Sequence, residues 1–212
     1  MNEAEKQFAT QAEEFQLFAG EILDFLPLKK GYLLDVGCGL GWVVAEAQKR
    51  GFQALGIDKN KRIISVGREK LKVSLQPVSL EKFSSQKKFN VIILKHVLEH
   101  IEKSKIFLRK IYRLLIPGGY LIVSCPNMNS LMARIFLDRW YGLRPMEHRW
   151  QFTPKTLSKT LEDNNFKIEK IIITNLWYRV PGWKGLIFKI ILFTADLLKL
   201  GDQVIVIAKK HD

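Results

Sequence analysis

The run Leu33-Leu34-Asp35-Val36-Gly37-Cys38-Gly39-Leu40-Gly41, with Asp58 further along, constrains this chain more than any other feature. It reads as an apolar strand ending in an acid, a loop of alternate glycines, and a helix from Trp42 to Arg50. Glycine lets backbone N–H groups approach a ligand closely and takes up backbone angles closed to other residues. The helix start beyond the loop offers free N–H donors and the positive end of a dipole. A carboxylate closing the next strand, Ala54-Leu55-Gly56-Ile57-Asp58, can accept both hydroxyl hydrogen bonds of a ribose. A strand–loop–helix unit holding a nucleoside cofactor is therefore expected.

Spacing narrows the cofactor. A dinucleotide fingerprint G-x-G-x-x-G would require its third glycine where Trp42 stands. Here that glycine is Gly41, and only Val36 separates Asp35 from Gly37. The pattern D-x-G-x-G-x-G resembles the first motif of class I S-adenosylmethionine-dependent methyltransferases.

Two further segments extend the resemblance over nearly the whole chain from about Gly31. Phe89-Asn-Val-Ile-Ile-Leu-Lys95-His96-Val-Leu-Glu99-His100-Ile101 is similar to the family's fourth motif, in the variant ending Leu-Glu-His. Arg113-Leu-Leu-Ile-Pro117-Gly118-Gly119 through Cys125-Pro126-Asn127 is similar to the motif leading into strand five. Together they resemble the ubiquinone-biosynthesis-type small-molecule O-methyltransferases. The resemblance implies a Rossmann-like α/β fold: a seven-stranded sheet in the order 3-2-1-4-5-7-6, last strand antiparallel, helices on both faces. It implies S-adenosyl-L-methionine as cofactor and S-adenosyl-L-homocysteine as product. Gly37, Cys38, Gly39 and Gly41 would wrap the methionine part, with Asp35 bracing the loop. Asp58, with Lys59 beside it, would hold the ribose. Lys95 and His96 would flank the cofactor at the mouth of strand four. Where the family often has an acid near the adenine, this chain has Ser79, so the backbone around Ser79 and Leu80 is assigned that contact.

The hydropathy pattern alternates strands and helices, as a doubly covered parallel sheet requires. Strands are expected over 31–36, 53–57, 74–78, 89–94, 120–125, 166–174 and 203–209. Phe8, Phe15, Phe18, Ile22 and Phe25 keep helical spacing, predicting a helix within 1–27. Another helix covers 60–73, and a third carries Phe107, Ile111, Leu114 and Leu115. Thr153 reads as an N-cap with Pro154 at the first helical position. One domain is expected over 1–212, with a substrate cover at 126–152 and an apolar insertion at 175–201.

The formal charge of +13 favours an acidic partner: a phosphorylated substrate, an anionic lipid surface or nucleic acid. The polar start Met1-Asn2-Glu3 does not read as a signal peptide, and no apolar run reaches the ~18 residues of a membrane span. Cys38 and Cys125 lie in unrelated segments, which suits a reducing cytoplasm. No histidine–cysteine cluster has metal-ligand spacing, so no metal is expected.

Methyl transfer to a hydroxyl needs alignment and benefits from a base tuned near neutrality. His100, at the start of the helix after strand four, and His148, in the cover, are the candidates; each has a purely structural alternative. In the cover, Arg134, Arg139, Arg144 and Arg149 alternate with Trp140, Tyr141 and Trp150, a composition suited to a flat anionic acceptor. The insertion carries Trp177, Tyr178 and Trp183, then an apolar run whose charges Lys189, Asp196 and Lys199 share one helical face. It suits peripheral membrane contact through 183–200, packing on the sheet, or a subunit contact.

Three functions remain open at this level. The leading one is methylation, at oxygen, of a small-molecule or lipid-linked acceptor. A nucleic-acid methyltransferase is the second, prompted by charge; Leu94-Lys95-His96-Val97 lacks the Asn/Asp-Pro-Pro-Tyr signature, and no Pro-Cys follows strand four to partner Cys125. The third is a non-catalytic binding subunit, against which the intact glycine loop and Asp58 argue. The sequence sets no oligomeric state.

Overall fold

The computed structural model describes residues 16–144, 146–175, 192–195 and 197–211. Phe8, Phe15, Trp177, Tyr178, Trp183, Lys189 and Asp196 lie outside them.

Seven strands form one sheet in the order β3-β2-β1-β4-β5-β7-β6. In chain order they are β1 (Gly31–Val36), β2 (Phe52–Ile57), β3 (Leu75–Gln76), β4 (Phe89–Lys95), β5 (Leu115–Pro126), β6 (Phe166–Thr174) and β7 (Gln203–Lys210). β1 through β5 pair in parallel, whereas β7 runs antiparallel between β5 and β6. The helices are α1 (16–24), α2 (Trp42–Lys49), α3 (Lys61–Leu71), α4 (Ser104–Leu114), α5 (Leu131–Phe136) and α6 (Pro154–Glu162).

Side-chain alternation along the strands splits the core into two layers. Leu34, Ile92, Leu94, Leu121 and Val206 pack with Phe107, Leu108 and Ile111 of α4 and Leu157 and Leu161 of α6. Leu33, Val91, Ile93, Ile122 and Ile205 pack on the other face with Phe18 and Ile22 of α1, Val43 and Val44 of α2, and Ile64 of α3. Coverage on both faces is why β4 reads as a continuous apolar run.

Local chemistry sets the boundaries. Asn60 caps α3 by accepting from the Arg62 and Ile63 N–H groups. Thr153 caps α6 in a reciprocal box with Thr156, and Pro154 opens that helix. β3 is shorter than the expected 74–78: Pro77 has no N–H to pair, and Val78 N–H turns back onto the Gln76 carbonyl at 3.0 Å. β5 begins earlier than expected, at Leu115; its ladder to β4 skips from Leu115 to Tyr120, so Pro117-Gly118-Gly119 bulges out. Among the described residues no helix is long and apolar enough to cross a membrane.

Candidate active site

The parallel strands β1, β2 and β4 end along one edge of the sheet, and the loop after β1 builds the first part of the site there. Gly37, Gly39 and Gly41 all have positive φ, at 74°, 52° and 90°. A Cβ on Gly37 would collide with Val97, and one on Gly41 would lie 2.8 Å from Leu75 Cδ2, so those glycines serve close packing. Gly39 meets nothing within 4 Å of its missing Cβ: there the backbone opens onto space. Cross-bonds hold the loop, with Gly37 and Cys38 N–H groups donating to Ile57 O at 2.8 and 3.1 Å.

Asp58 stands beside that opening, half-buried. Its Oδ2 accepts from Gly39 N–H at 3.1 Å and its Oδ1 from Asn60 N–H at 2.8 Å. An open glycine backbone beside a fixed carboxylate, ahead of the α2 N-terminus, fits a nucleoside cofactor with a hydroxylated sugar.

Asp35 is 2 % exposed. Burial pushes its carboxyl up to about 7, Lys95 opposing and Asp58 adding to the shift. Cys38 Sγ packs towards Gly56 on β2; burial and the two aspartates push its thiol up. Lys59 is exposed. Ser79 is half-buried with its carbonyl taken by Lys82 and Phe83 N–H groups, and the Leu80 side chain joins the core. Lys95 closes β4 with its ammonium 3.9 Å from the centre of the Phe18 ring, bringing α1 to this end of the sheet.

His96 takes a left-handed backbone, φ 51°, and lies across the sheet end. Its Nδ1 is 3.1 Å from Glu99 Oε1 and its Nε2 is 2.9 Å from Gln203 Nε2 at the start of β7. Gln203 also donates to Ser124 Oγ at 2.6 Å. Glu99 is 1 % exposed and accepts from the Cys125 thiol at 3.4 Å. Burial works against the Glu99 charge, yet the bond and charge of His96 hold its carboxyl below the usual range. Burial, with Glu99 alongside, drives the Cys125 thiol well up.

His100 departs from expectation. A three-residue turn, Leu98–His100, intervenes, and α4 starts only at Ser104. His100 is therefore exposed on that turn and faces the cover. Its Nδ1 lies 2.9 Å from Glu147 O, while His148 Nδ1 lies 2.8 Å from Gly142 O. The two rings meet edge-on, centroids 4.7 Å apart. Arg149 and Trp150 N–H groups donate to Glu99 O at 2.7 and 3.1 Å, and Trp150 Nε1 to Ile101 O at 2.8 Å. The cover is thus laced to the turn after β4.

Within the cover the expected aromatic lining divides. Trp140 is buried against Met132 and Ala133, whereas Trp150 is 46 % exposed. Arg144 pairs with Glu147, and Arg134 reaches Asn129; Arg139 and Arg149 are exposed. Sequence reasoning also missed a convergence: one ligand atom each from Glu99, His100 and His148 lie within 4.8 Å of one another. The metal-free expectation rested on linear spacing, and His148 comes from a distant segment that only the fold brings to Glu99-His100. Gln203 was missed likewise; the one available signal was the Leu98-Glu99-His100 triplet.

A family model described as a methyltransferase domain matches residues 9–171. The chain is 26% identical over 171 residues to the ubiquinone biosynthesis O-methyltransferase of Pelagibacter ubique, covering 74% of this chain and 70% of that one. It is 26% identical over 149 residues to the enzyme of the same name from Bradyrhizobium diazoefficiens, covering 64% of this chain and 58% of the relative. In fold it is similar to a SAM-dependent methyltransferase from Archaeoglobus fulgidus, with TM-score 0.68, 21% identity, and 96% and 99% of the two chains covered.

Proposed function

We propose that this chain, which belongs to the methyltransferase family and is an S-adenosylmethionine-dependent methyltransferase, methylates a hydroxyl group of a small-molecule or lipid-linked acceptor. The observation that carries the acceptor half of this reading is the His100 imidazole. A carbonyl oxygen can only accept, so the 2.9 Å contact to Glu147 O makes His100 Nδ1 the N–H donor. The neutral ring then carries its lone pair on Nε2, the arrangement of a general base. His148 is fixed the same way by Gly142 O and is the second candidate.

When bound, the cofactor supplies a methyl group on a sulfonium, open to in-line displacement by a nucleophile. In our assignment, the backbone of Gly37, Cys38, Gly39 and Gly41 holds its methionine part and Asp58 its ribose hydroxyls, with Lys59 beside them. Asp35 braces the loop from below, Ser79 and Leu80 offer backbone to the base, and Lys95 and His96 border the cleft. The cover at 126–152 excludes water and holds the acceptor oxygen near His100, whose Nε2 takes the hydroxyl proton as the oxygen–carbon bond forms. The net charge favours an anionic acceptor. A cytoplasmic enzyme resting on a membrane through 183–200 fits the exposed Phe193 and Leu197 in that stretch.

The test incubates purified protein and S-adenosylmethionine with phenols, catechols and matched amines, read by mass spectrometry. O-methyl products support the reading; methylated amines with untouched phenols would sink its oxygen assignment. A cytosine-C5 route through Cys125 is disfavoured by that thiol's burial and its bond to Glu99.

A further inference from the structure

We propose that the end of the sheet remote from the glycine loop is a docking rim for the phosphate backbone of single-stranded RNA. The proposal goes beyond methyl transfer and does not rest on it. β1, β4 and β5 all begin along this edge, and β7, running the other way, ends there. The topology therefore gathers cations from separate stretches of chain. Lys29 and Lys30 lead into β1, Lys87 and Lys88 into β4, Arg113 into β5, and Lys210 closes β7. All are exposed except Lys210, which is half-buried. Across the order β1-β4-β5-β7 they form a row about 14 Å wide, at about 4.8 Å per strand.

Contacts join the row into one surface. Lys87 Nζ lies 4.7 Å from the centre of the Tyr32 ring, on β1, and 3.4 Å from its hydroxyl. Lys88 Nζ donates to Arg113 O, and Lys210 Nζ to Tyr112 O and Leu115 O at 2.9 Å each. These carbonyls at the end of α4 fix both ammonium groups without neutralising them, and each ammonium keeps an N–H for a ligand. Burial first, and then the charge of Lys88, hold the Lys210 ammonium below its usual range, as close like charges do. Among the described residues, no member of the row pairs with a carboxylate. Acids at this end have partners of their own: Asp24 and Glu46 on Arg50, Asp163 on Lys159, Glu169 on Lys167. The row repels itself, and a bound polyanion would relieve that repulsion.

Side-chain chemistry selects among acidic partners. All but Arg113 are lysines, point charges that suit phosphate, whereas recognition of carboxylates favours the arginine fork. A protein partner or a bilayer would also use apolar anchors. None of the exposed large apolar side chains lies in the stretches that build the row. Contact with a phosphodiester backbone needs no such anchor. The eight residues of β7 set Lys210 about 24 Å from Gln203, which bonds His96. RNA held at the rim would tether the enzyme and is not its methyl acceptor.

The test measures fluorescence anisotropy of labelled poly(U) with tag-free full-length protein across a salt series. Binding at low salt is expected, with log K falling against log salt at a slope of about −3, as about four neutralised phosphates give. Poly(C) should bind equally, because the backbone is shared. The double variant Lys30→Glu, Lys87→Glu should bind about tenfold more weakly or worse, with a shallower slope. The same charge change at Lys105 and Lys155, exposed near the starts of α4 and α6 at the opposite end, should alter affinity less than about twofold. All four side chains are exposed, so the variants should fold, as circular dichroism would check. Failure of wild type to bind poly(U), or equal losses in both double variants, would overturn the rim. So would binding of polyglutamate or phosphatidylglycerol vesicles through Lys30 and Lys87 in place of poly(U), which would assign the surface to a protein or a membrane.

Discussion

Gly39 donates its backbone N–H to the carboxylate of Asp58 at 3.1 Å, tying the apex of the glycine loop to the end of the neighbouring strand. Oδ2 of Asp58 therefore shapes the loop, Oδ1 accepts from Asn60 N–H, and a ligand can use only the lone pair left on each. Asp58→Asn keeps one acceptor oxygen for Gly39 and loses the other, with its Asn60 contact and its place for a ligand hydroxyl. We expect S-adenosylhomocysteine affinity to fall by about 1–3 kcal/mol, measured by calorimetry. Unchanged affinity would remove the ribose assignment.

His100→Ala should lower kcat by about 10²- to 10⁴-fold if its Nε2 takes the acceptor's proton. Affinity for S-adenosylhomocysteine should stay the same, since the Glu147 contact lies on the cover side. Wild-type turnover in this variant would return His100 to a structural role.

Asp35 makes stability depend on pH. Its carboxyl is raised from 3.8 to about 7, by burial first, so the folded chain keeps a proton that the unfolded chain releases. This contribution is complete below about pH 4 and lost as pH rises through about 7, a change of at most ~4 kcal/mol. Urea midpoints should thus decline from pH 5 to pH 8, and Asp35→Asn should flatten the decline. Parallel profiles for the two proteins would refute this.

Gly67→Ala reaches the loop from behind. A Cβ there would press on the carbonyl oxygen of Leu40, in backbone that cannot move without moving Gly39 and Gly41. A loss of about 1–3 kcal/mol in urea unfolding is expected, with weaker S-adenosylhomocysteine binding. A variant with wild-type values for both would show that α3 can slide away at no cost.

The sheet order was legible through the family resemblance, which rests on motifs local in sequence: the strand, glycine turn and helix within Gly31–Lys49, and the runs that became β4 and β5. Thr153 and Pro154 announced α6 because caps act over a single turn. The surroundings of Glu99 and His100 were harder to read. Glu99 bonds His96 from three residues away, but its near-complete burial depends on β5 and on the cover, and no local pattern encodes that. Gln203 meets His96 across 107 positions, and His148 meets His100 through a segment without regular periodicity. The short β3 and the early start of β5 were missed for a smaller reason: Pro77 and Gly118 mark turns without saying which side of them the pairing stops.

The position of β7 also orders events in time. β6 has one neighbour in the sheet, and that neighbour is β7, which follows it in the chain. A growing polypeptide therefore carries Phe166–Thr174, with its run Ile171-Ile172-Ile173, as an unpaired edge until Gln203–Lys210 has left the ribosome and slid between β5 and β6. That unpaired edge leaves the nascent chain open to aggregation during the interval. Because Gln203 is the first residue of the inserting strand, the His96 bridge can close only when the sheet itself does.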